Sequence, residues 1–204
     1  MKIAVLGGSF DPPHLGHLFI ASQVREQLHM DQVWLMPLYQ KTRQDIIFHK
    51  AVISEHHRLA MAKLLENDYI KVSDYEILHN QASFTLTTLQ ALQKLNPNDE
   101  FYWITGSDQL DGFQKYYKWQ ELVQTQNLII FPREHMLWHL EEKVKEAMQL
   151  KTIPQNVIVL HNKNLILTNI SSTKIRERVK EGLPIDLFVA EEVGEYIRKH
   201  MLYA

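Results

Sequence analysis

The sequence predicts an α/β protein, a doubly wound and mostly parallel sheet followed by a C-terminal helical segment. Three observations predict it. Short apolar, β-branched segments recur along all 204 residues; stretches with three- and four-residue apolar spacing fill the intervals; and the first apolar segment runs straight into a glycine-rich turn that opens a helix.

The elements follow in order. Ile3-Ala4-Val5-Leu6 is a continuous apolar run closed by Gly7 and Gly8, the pattern of a strand buried on both faces. Residues 15–28 then carry helical spacing. Further strands are expected at 33–36, 70–72, 101–105, 128–131 and 157–160, and helices at 56–66, 84–95, 119–124 and 137–148. From Ser171 onward the pattern reads as two helices separated by Gly182-Leu183-Pro184. No repeat, low-complexity tract or long linker interrupts the chain, so residues 1–204 are expected to form one domain.

Composition narrows the function classes. Lysine and arginine total 22 against 24 acidic residues, and the formal charge of -2 gives no global attraction to nucleic acid. Any anion site must come from local placement. With no cysteine, thiol nucleophiles, disulfides and thiolate zinc sites are excluded, and a reducing, cytoplasmic location is compatible. The apolar run after Lys2 is too short for a signal peptide, and no stretch approaches the roughly 20 apolar residues of a membrane span, so a soluble protein is expected.

The turn from Gly7 to His17, GGSFDPPHLGH, carries the most chemistry. Gly7 and Gly8 let the backbone approach a ligand without a Cβ in the way, and the amides of the following helix N-terminus favour an anion. His14 and His17 are three residues apart and share a face of the first helical turn. Phosphate oxygens are the natural guests. As plain structure, the same residues make a strand-to-helix turn with two surface histidines.

Two later segments carry further candidates. Strand 101–105 runs into Gly106-Ser107-Asp108, followed by Phe113, Tyr116, Tyr117 and Trp119. Gly106 allows close backbone approach, Asp108 can accept hydrogen bonds from sugar hydroxyls, and the aromatics offer faces for a base or pyridine ring. Read blandly, the aromatics are core and Asp108 is a helix cap. Near the C-terminus, Asn169-Ile170-Ser171-Ser172-Thr173-Lys174-Ile175-Arg176 opens a helix whose hydroxyls, amides and Arg176 suit phosphate oxygens. Its bland reading is Ser/Thr capping with a solvated basic face. His135 and His139 have helical spacing but no evident third ligand, so they read as surface residues. His56 and His57 face different ways, and Arg58 reads as a helix-face charge.

Together these segments resemble the nucleotidylyltransferase superfamily, marked by an HxGH turn and a Ser/Thr-rich segment containing Ile-Arg far downstream. Within it the chain is most similar to bacterial nicotinate-nucleotide adenylyltransferases. GGSFDPPHLGH at 7–17, ASFTLTTL at 82–89, GSDQLDGF at 106–113 and NISSTKIRERV at 169–179 occur in the family's order. The resemblance implies a Rossmann-like fold and adenylyl transfer from ATP to nicotinate mononucleotide, giving deamido-NAD and pyrophosphate. Magnesium would ride on the triphosphate, with no side-chain metal ligands.

By the same resemblance, Gly7, Gly8, Ser9 and Phe10 contact the nucleotides, and His14, His17 and Arg176 bind the ATP phosphates. Gly106 and Asp108 hold the adenosine, while Ile170 and Ser171 to Thr173 close over the phosphate chain. Ser83, Phe84 and Thr85 meet the pyridine carboxylate, with an aromatic at 116 stacking on the ring and the Tyr117 amide nearby. Where family members usually carry Trp, this chain has Tyr116, and Trp119 is the alternative stacking residue. The 39–50 stretch also departs from the usual proline-rich loop, with His49-Lys50 as its counterpart. The C-terminal helices from 171 to 204 complete the ATP site on this view, and a homo-oligomer is compatible with it. Rival readings are adenylyl transfer to nicotinamide mononucleotide or phosphopantetheine, and a nucleotide-sensing module without turnover.

Overall fold

The structure is a computed structural model that describes residues 1–39, 53–79, 84–133 and 139–204. Six strands, β1 (Lys2–Gly8), β2 (Gln32–Pro37), β3 (Ile70–Val72), β4 (Glu100–Gly106), β5 (Asn127–Phe131) and β6 (Val157–Val159), form one parallel sheet in the order β3-β2-β1-β4-β5-β6. The helices are α1 (Leu15–Leu28), α2 (Glu55–Lys63), α3 (Tyr75–His79), α4 (Thr85–Leu95), α5 (Trp119–Thr125), α6 (Leu140–Ala147), α7 (Ser172–Lys180) and α8 (Glu191–Lys199), with a 3₁₀ segment at Ser107–Lys115. The order in which strands are added reverses between β1 and β4. In open sheets of this kind, ligands gather at the turns leaving the carboxyl ends of such strands.

Contacts divide the described residues into two compact units. The first comprises Met1–Leu6, Gln23–Gln32 and Phe84–Asn169. Here Lys2 to Leu6 of β1 pair with Glu100 to Ile104 of β4, and β5 and β6 continue the ladder. Ile3, Ala4 and Val5 are fully buried, as a strand covered on both faces requires. Helix α4 packs on β4 and buries Leu86, Leu89 and Leu92, spaced by three. Gln23 bridges to the coil before residue 170, its Nε2 donating to the Ile166 carbonyl (3.0 Å) and its Oε1 accepting from the Ile166 amide (2.5 Å). A buried amide is thereby satisfied at both ends.

The second unit comprises Gly7–Ser22, Val33–Ser83 and Ile170–Ala204. Strand β2 pairs with β3 from Val33 opposite Ile70 to Leu35 opposite Val72. Helix α2 buries Arg58 on the same stripe as Met61 and Ala62, and it packs against α8. Helix α8 carries Glu191 and Glu192 in its first turn and Arg198 and Lys199 in its last, matching the helix dipole at both ends. Gly182, at φ +69°, ends α7 in a left-handed turn in which the Leu183 amide reaches back to the Arg178 carbonyl (2.8 Å).

The expected strands and long helices are present, with ends shifted by at most three residues. The helix expected at 56–66 stops at Lys63 because Glu66 and Asn67 turn their side chains to the backbone amides of Val72, Tyr69 and Ile70. Helix α3 and the 3₁₀ segment were not expected: the former is too short to show periodicity, and Gly112 breaks the pattern of the latter. Residues 137 and 138 of the expected 137–148 helix lie outside the described residues.

Candidate active site

The turn after β1 is held by backbone and ring contacts. The Leu38 amide donates to the Gly8 carbonyl (3.0 Å). A Cβ on Gly8 would sit 3.4 Å from the Phe10 ring, so that ring fills the space the glycine leaves. Phe10 is fully buried and has φ +48°, a left-handed conformation that costs a bulky residue about 1–2 kcal/mol. Its ring lies against His17 (4.6 Å between centroids), and His17 stacks on His14 (3.8 Å, 27°). The His14 amide donates to His17 Nδ1 (3.1 Å). With Nδ1 acting as acceptor, a neutral His17 carries its proton on Nε2. The two histidines are therefore a packed pair rather than independent surface groups.

The Ser171 to Arg176 segment is stitched to this turn within the same unit. Ser171 Oγ caps α7 by accepting from the Lys174 amide (3.3 Å), and Ser172 Oγ donates to the Pro12 carbonyl (2.8 Å). Arg176 Nη1 donates to the Asp11 carbonyl (2.7 Å) and lies 4.0 Å from Asp11 Oδ2, while Nη2 donates to Thr173 Oγ1 (3.2 Å). Each hydroxyl of the Ser-Ser-Thr run thus has a protein partner. Ile170, half-buried, precedes the cap. What the segment offers an anion is the first amides of α7 and a pre-positioned guanidinium.

Three residues given no role by the sequence organise the turn. Asp11 is fully buried, and Tyr203 Oη donates to its Oδ1 (2.7 Å). Burial, then the Asp11 charge and hydrogen bond, push the Tyr203 phenol far above its ordinary pKa. Arg58, expected as a helix-face charge, is 1% exposed and donates to the Ser9 carbonyl (2.7 Å) and the Leu38 carbonyl (2.8 Å). Burial lowers its pKa, opposed mainly by Asp11. The available signals were the place of Asp11 inside the turn and the spacing of Arg58 to Met61 and Ala62.

The other unit holds the remaining candidates. A Cβ on Gly106 would overlap Asp108 Oδ1, so the glycine gives that carboxylate its position. Asp108 accepts from Gln109 Nε2 (2.9 Å) and lies 3.8 Å from Arg133 Nε. Gly106, not Asp108, is the cap of the 3₁₀ segment. Ser107 is fully buried and accepts from the Arg133 amide (2.8 Å), which joins the ends of β4 and β5. Phe84 precedes α4, which begins at Thr85, and its carbonyl takes the Thr88 amide (3.0 Å).

The rings of this segment form two pairs. Tyr116 packs on Phe113 (5.2 Å, 23°), and burial, aided by the Asp108 charge, pushes its phenol up to about 12. Exposed Tyr117 instead faces Phe84 (4.7 Å, 32°) at the start of α4. Trp119 opens α5, its amide donating to the Tyr116 carbonyl (3.2 Å). Ser83, the 40–52 stretch with His49 and Lys50, and His135 lie outside the described residues. His57 Nδ1 contacts Tyr196 Oη (3.0 Å), and His139 is the N-cap residue of α6, with no side-chain capping hydrogen bond.

A parallel sheet in this order, with an HxGH turn after its first strand and an arginine-bearing helix start stitched to that turn, defines the nucleotidylyltransferase class. The family model described as cytidylyltransferase-like matches residues 5–178. Within that class the chain belongs to the nicotinate-nucleotide adenylyltransferase family. It is 34% identical to a protein of Shewanella frigidimarina and 31% identical to one of Enterococcus faecalis, each named probable nicotinate-nucleotide adenylyltransferase. The first match covers 100% of both chains, the second 99% of this chain and 84% of the relative. The fold matches that of Plasmodium falciparum nicotinic acid mononucleotide adenylyltransferase complexed with NaAD, at TM-score 0.78 and 22% identity, covering 99% of this chain and 97% of that one.

Proposed function

We infer that this chain transfers the adenylyl group of ATP to nicotinate mononucleotide, releasing pyrophosphate and forming nicotinate adenine dinucleotide, a step of NAD biosynthesis. One observation carries the reading: Arg176 and the α7 N-terminus are fastened to the His14–His17 turn by the Arg176–Asp11 and Ser172–Pro12 hydrogen bonds. This is a cluster of donors and positive charge with a fixed shape. The names of the full-length relatives supply the second substrate.

The mononucleotide phosphate is already a nucleophile. Its oxygen forms a bond to the α-phosphorus of ATP as the bond to pyrophosphate breaks, and no general base or covalent enzyme intermediate is needed. The protein's work is alignment and charge stabilisation. His17 donates from Nε2, and with His14 and Arg176 it neutralises the α-phosphate and the leaving group. Backbone at Gly7, Gly8, Ser9 and Phe10 lies against the nucleotides, and the Ile170 to Thr173 segment borders the phosphate chain. Gly106 and Asp108 take the adenosine.

The turn and α7 present N–H donors and cations, a set that suits triphosphate oxygens and leaves magnesium to be held by those oxygens. When bound, magnesium neutralises charge on the triphosphate. For the pyridine ring, the first amides of α4 at Thr85, beside Phe84, donate to a carboxylate and offer no acceptor to a carboxamide NH₂, with the Tyr117 amide as a further donor. Tyr116 packs on Phe113, and the Phe84–Tyr117 pair supplies the aromatic faces. The same reading takes residues 1–204 as one catalytic domain working in the cytoplasm. Incubation with ATP, magnesium and nicotinate mononucleotide should yield pyrophosphate and dinucleotide in equal amounts; absence of both removes the reading.

A further inference from the structure

The ladder between β4 and β5 ends with Gly106 opposite Phe131. Past that pair a side chain fastens the two strand exits: Ser107, fully buried, accepts the Arg133 amide on its Oγ (2.8 Å). The far end of the 3₁₀ segment is fastened separately, by Lys143 of α6 to Asp111 (2.7 Å) and by Gln114 Nε2 donating to the Ala147 carbonyl (3.2 Å). Asp108 stands next to the first of these anchorages. Its Oδ1 occupies the space a Cβ on Gly106 would fill, and the Arg133 side chain borders the same space, with Cγ 3.6 Å from that Cβ position and Nε 3.8 Å from Oδ1.

We propose that Ser107 is a positioning residue for Asp108, acting through Arg133. The hydrogen bond from the Arg133 amide to Ser107 Oγ fixes where the arginine side chain leaves the main chain. That side chain then gives the half-exposed Asp108 carboxylate a charged neighbour beside Gly106. On its other oxygen, Asp108 takes only the exposed, sequence-adjacent Gln109 Nε2 (2.9 Å), a contact that moves with the carboxylate and cannot orient it. Without the Ser107 hydroxyl, the Arg133 amide loses a partner inside the protein, which costs far more than an exposed hydrogen bond, so the exit of β5 shifts to find another. The guanidinium moves with it, and Asp108 is left free to swing into solvent. A sugar hydroxyl then meets an acceptor that must be ordered anew at each binding event. A serine with no polar contact to a nucleotide thereby sets the shape of the adenosine end of the site.

The kinetic consequence rests on the reading that Asp108 takes the adenosine of ATP. Ser107→Ala removes only the hydroxyl. In folded enzyme it should raise KM for ATP about tenfold, while kcat and KM for nicotinate mononucleotide stay within about twofold of wild type. In an Asp108→Ala background the same change should raise KM for ATP by less than about twofold, since the effect passes through the carboxylate. Ser107→Cys, close in volume and a weak acceptor, should give a smaller rise of the same kind, and it replaces the alanine variant if that one does not fold. A purely structural serine would lower the melting temperature without separating KM from kcat and without depending on Asp108. An unmoved KM for ATP, or equal fold-rises in both backgrounds, overturns the proposal. If wild-type protein makes no dinucleotide, the adenylyl-transfer reading fails by itself, and calorimetric dissociation constants for ATP on the same proteins decide the role of Ser107. The same tenfold and twofold pattern supports it; any other, including no binding of ATP, overturns it.

Discussion

Arg58 Nη1 lies 2.7 Å from the main-chain carbonyl oxygen of Ser9, and the guanidinium's other arm reaches the Leu38 carbonyl at 2.8 Å. One buried side chain on α2 therefore ties the exits of β1 and β2 together. Replacement by methionine keeps much of the volume but leaves two carbonyls unsatisfied. The expected loss is about 2–4 kcal/mol of unfolding free energy in urea melts. Lysine should rescue little, because a single ammonium cannot span both carbonyls in the plane of a guanidinium. A loss below about 0.5 kcal/mol for the methionine variant would show that the clamp does not matter.

His17 is predicted to act from Nε2, because its Nδ1 accepts from the His14 amide at 3.1 Å. His17→Ala should lower kcat by about 10²- to 10³-fold in folded protein. Glutamine places an amide nitrogen near the Nε2 position, whereas asparagine places one near Nδ1. His17→Gln should therefore retain more turnover than His17→Asn. The reverse order in steady-state assays contradicts the assignment.

Gly106→Ala puts a methyl group where Asp108 Oδ1 sits. The carboxylate is on a half-exposed side chain, so it can swing away at little cost in stability. Its pairing with Arg133 at 3.8 Å is likewise exposed enough to contribute at most about 1 kcal/mol. The variant should melt close to wild type while its KM for ATP rises about tenfold or more. Unchanged KM would detach Asp108 from the nucleotide.

Tyr116 gives a pH prediction. Burial lifts its phenol from 10.0 to about 12, so the folded state holds the proton more tightly than the unfolded chain. That contribution is fully present below pH 10 and is lost as pH rises towards 12, about 3 kcal/mol in all. Urea midpoints measured at pH 9 and pH 11 should fall less for Tyr116→Phe than for wild type. Parallel decline in the two proteins would place the phenol in water.

Much of this was legible from sequence. The β1 run, the glycine turn and the two histidines are contiguous, so local pattern was enough to place them on a strand end and a helix start. The 70–72 strand and the 15–28 helix were read with their observed bounds. Contacts between distant positions were not legible. Tyr203 and Asp11 stand 192 residues apart, and no local signal distinguishes a C-terminal tyrosine that reaches a buried aspartate from one that frays. Arg58 reads as a helix-face charge by residue type, whereas its spacing to Met61 and Ala62 matches the buried stripe. The pairing of Tyr117 with Phe84 was not legible either: the left-handed Lys118 (φ +48°) redirects the chain between Tyr117 and Trp119, a backbone event that residue types do not announce.

Selectivity between the two pyridine mononucleotides tests the central claim most directly. With ATP and magnesium fixed, kcat/KM should be measured for nicotinate mononucleotide and for nicotinamide mononucleotide, with the dinucleotide identified by mass. Amides at the start of α4 predict at least about a hundredfold preference for the acid, the loss expected when a charged hydrogen-bond acceptor is replaced by a group the site cannot pair. Equal rates, a preference for the amide, or no dinucleotide from either would contradict it.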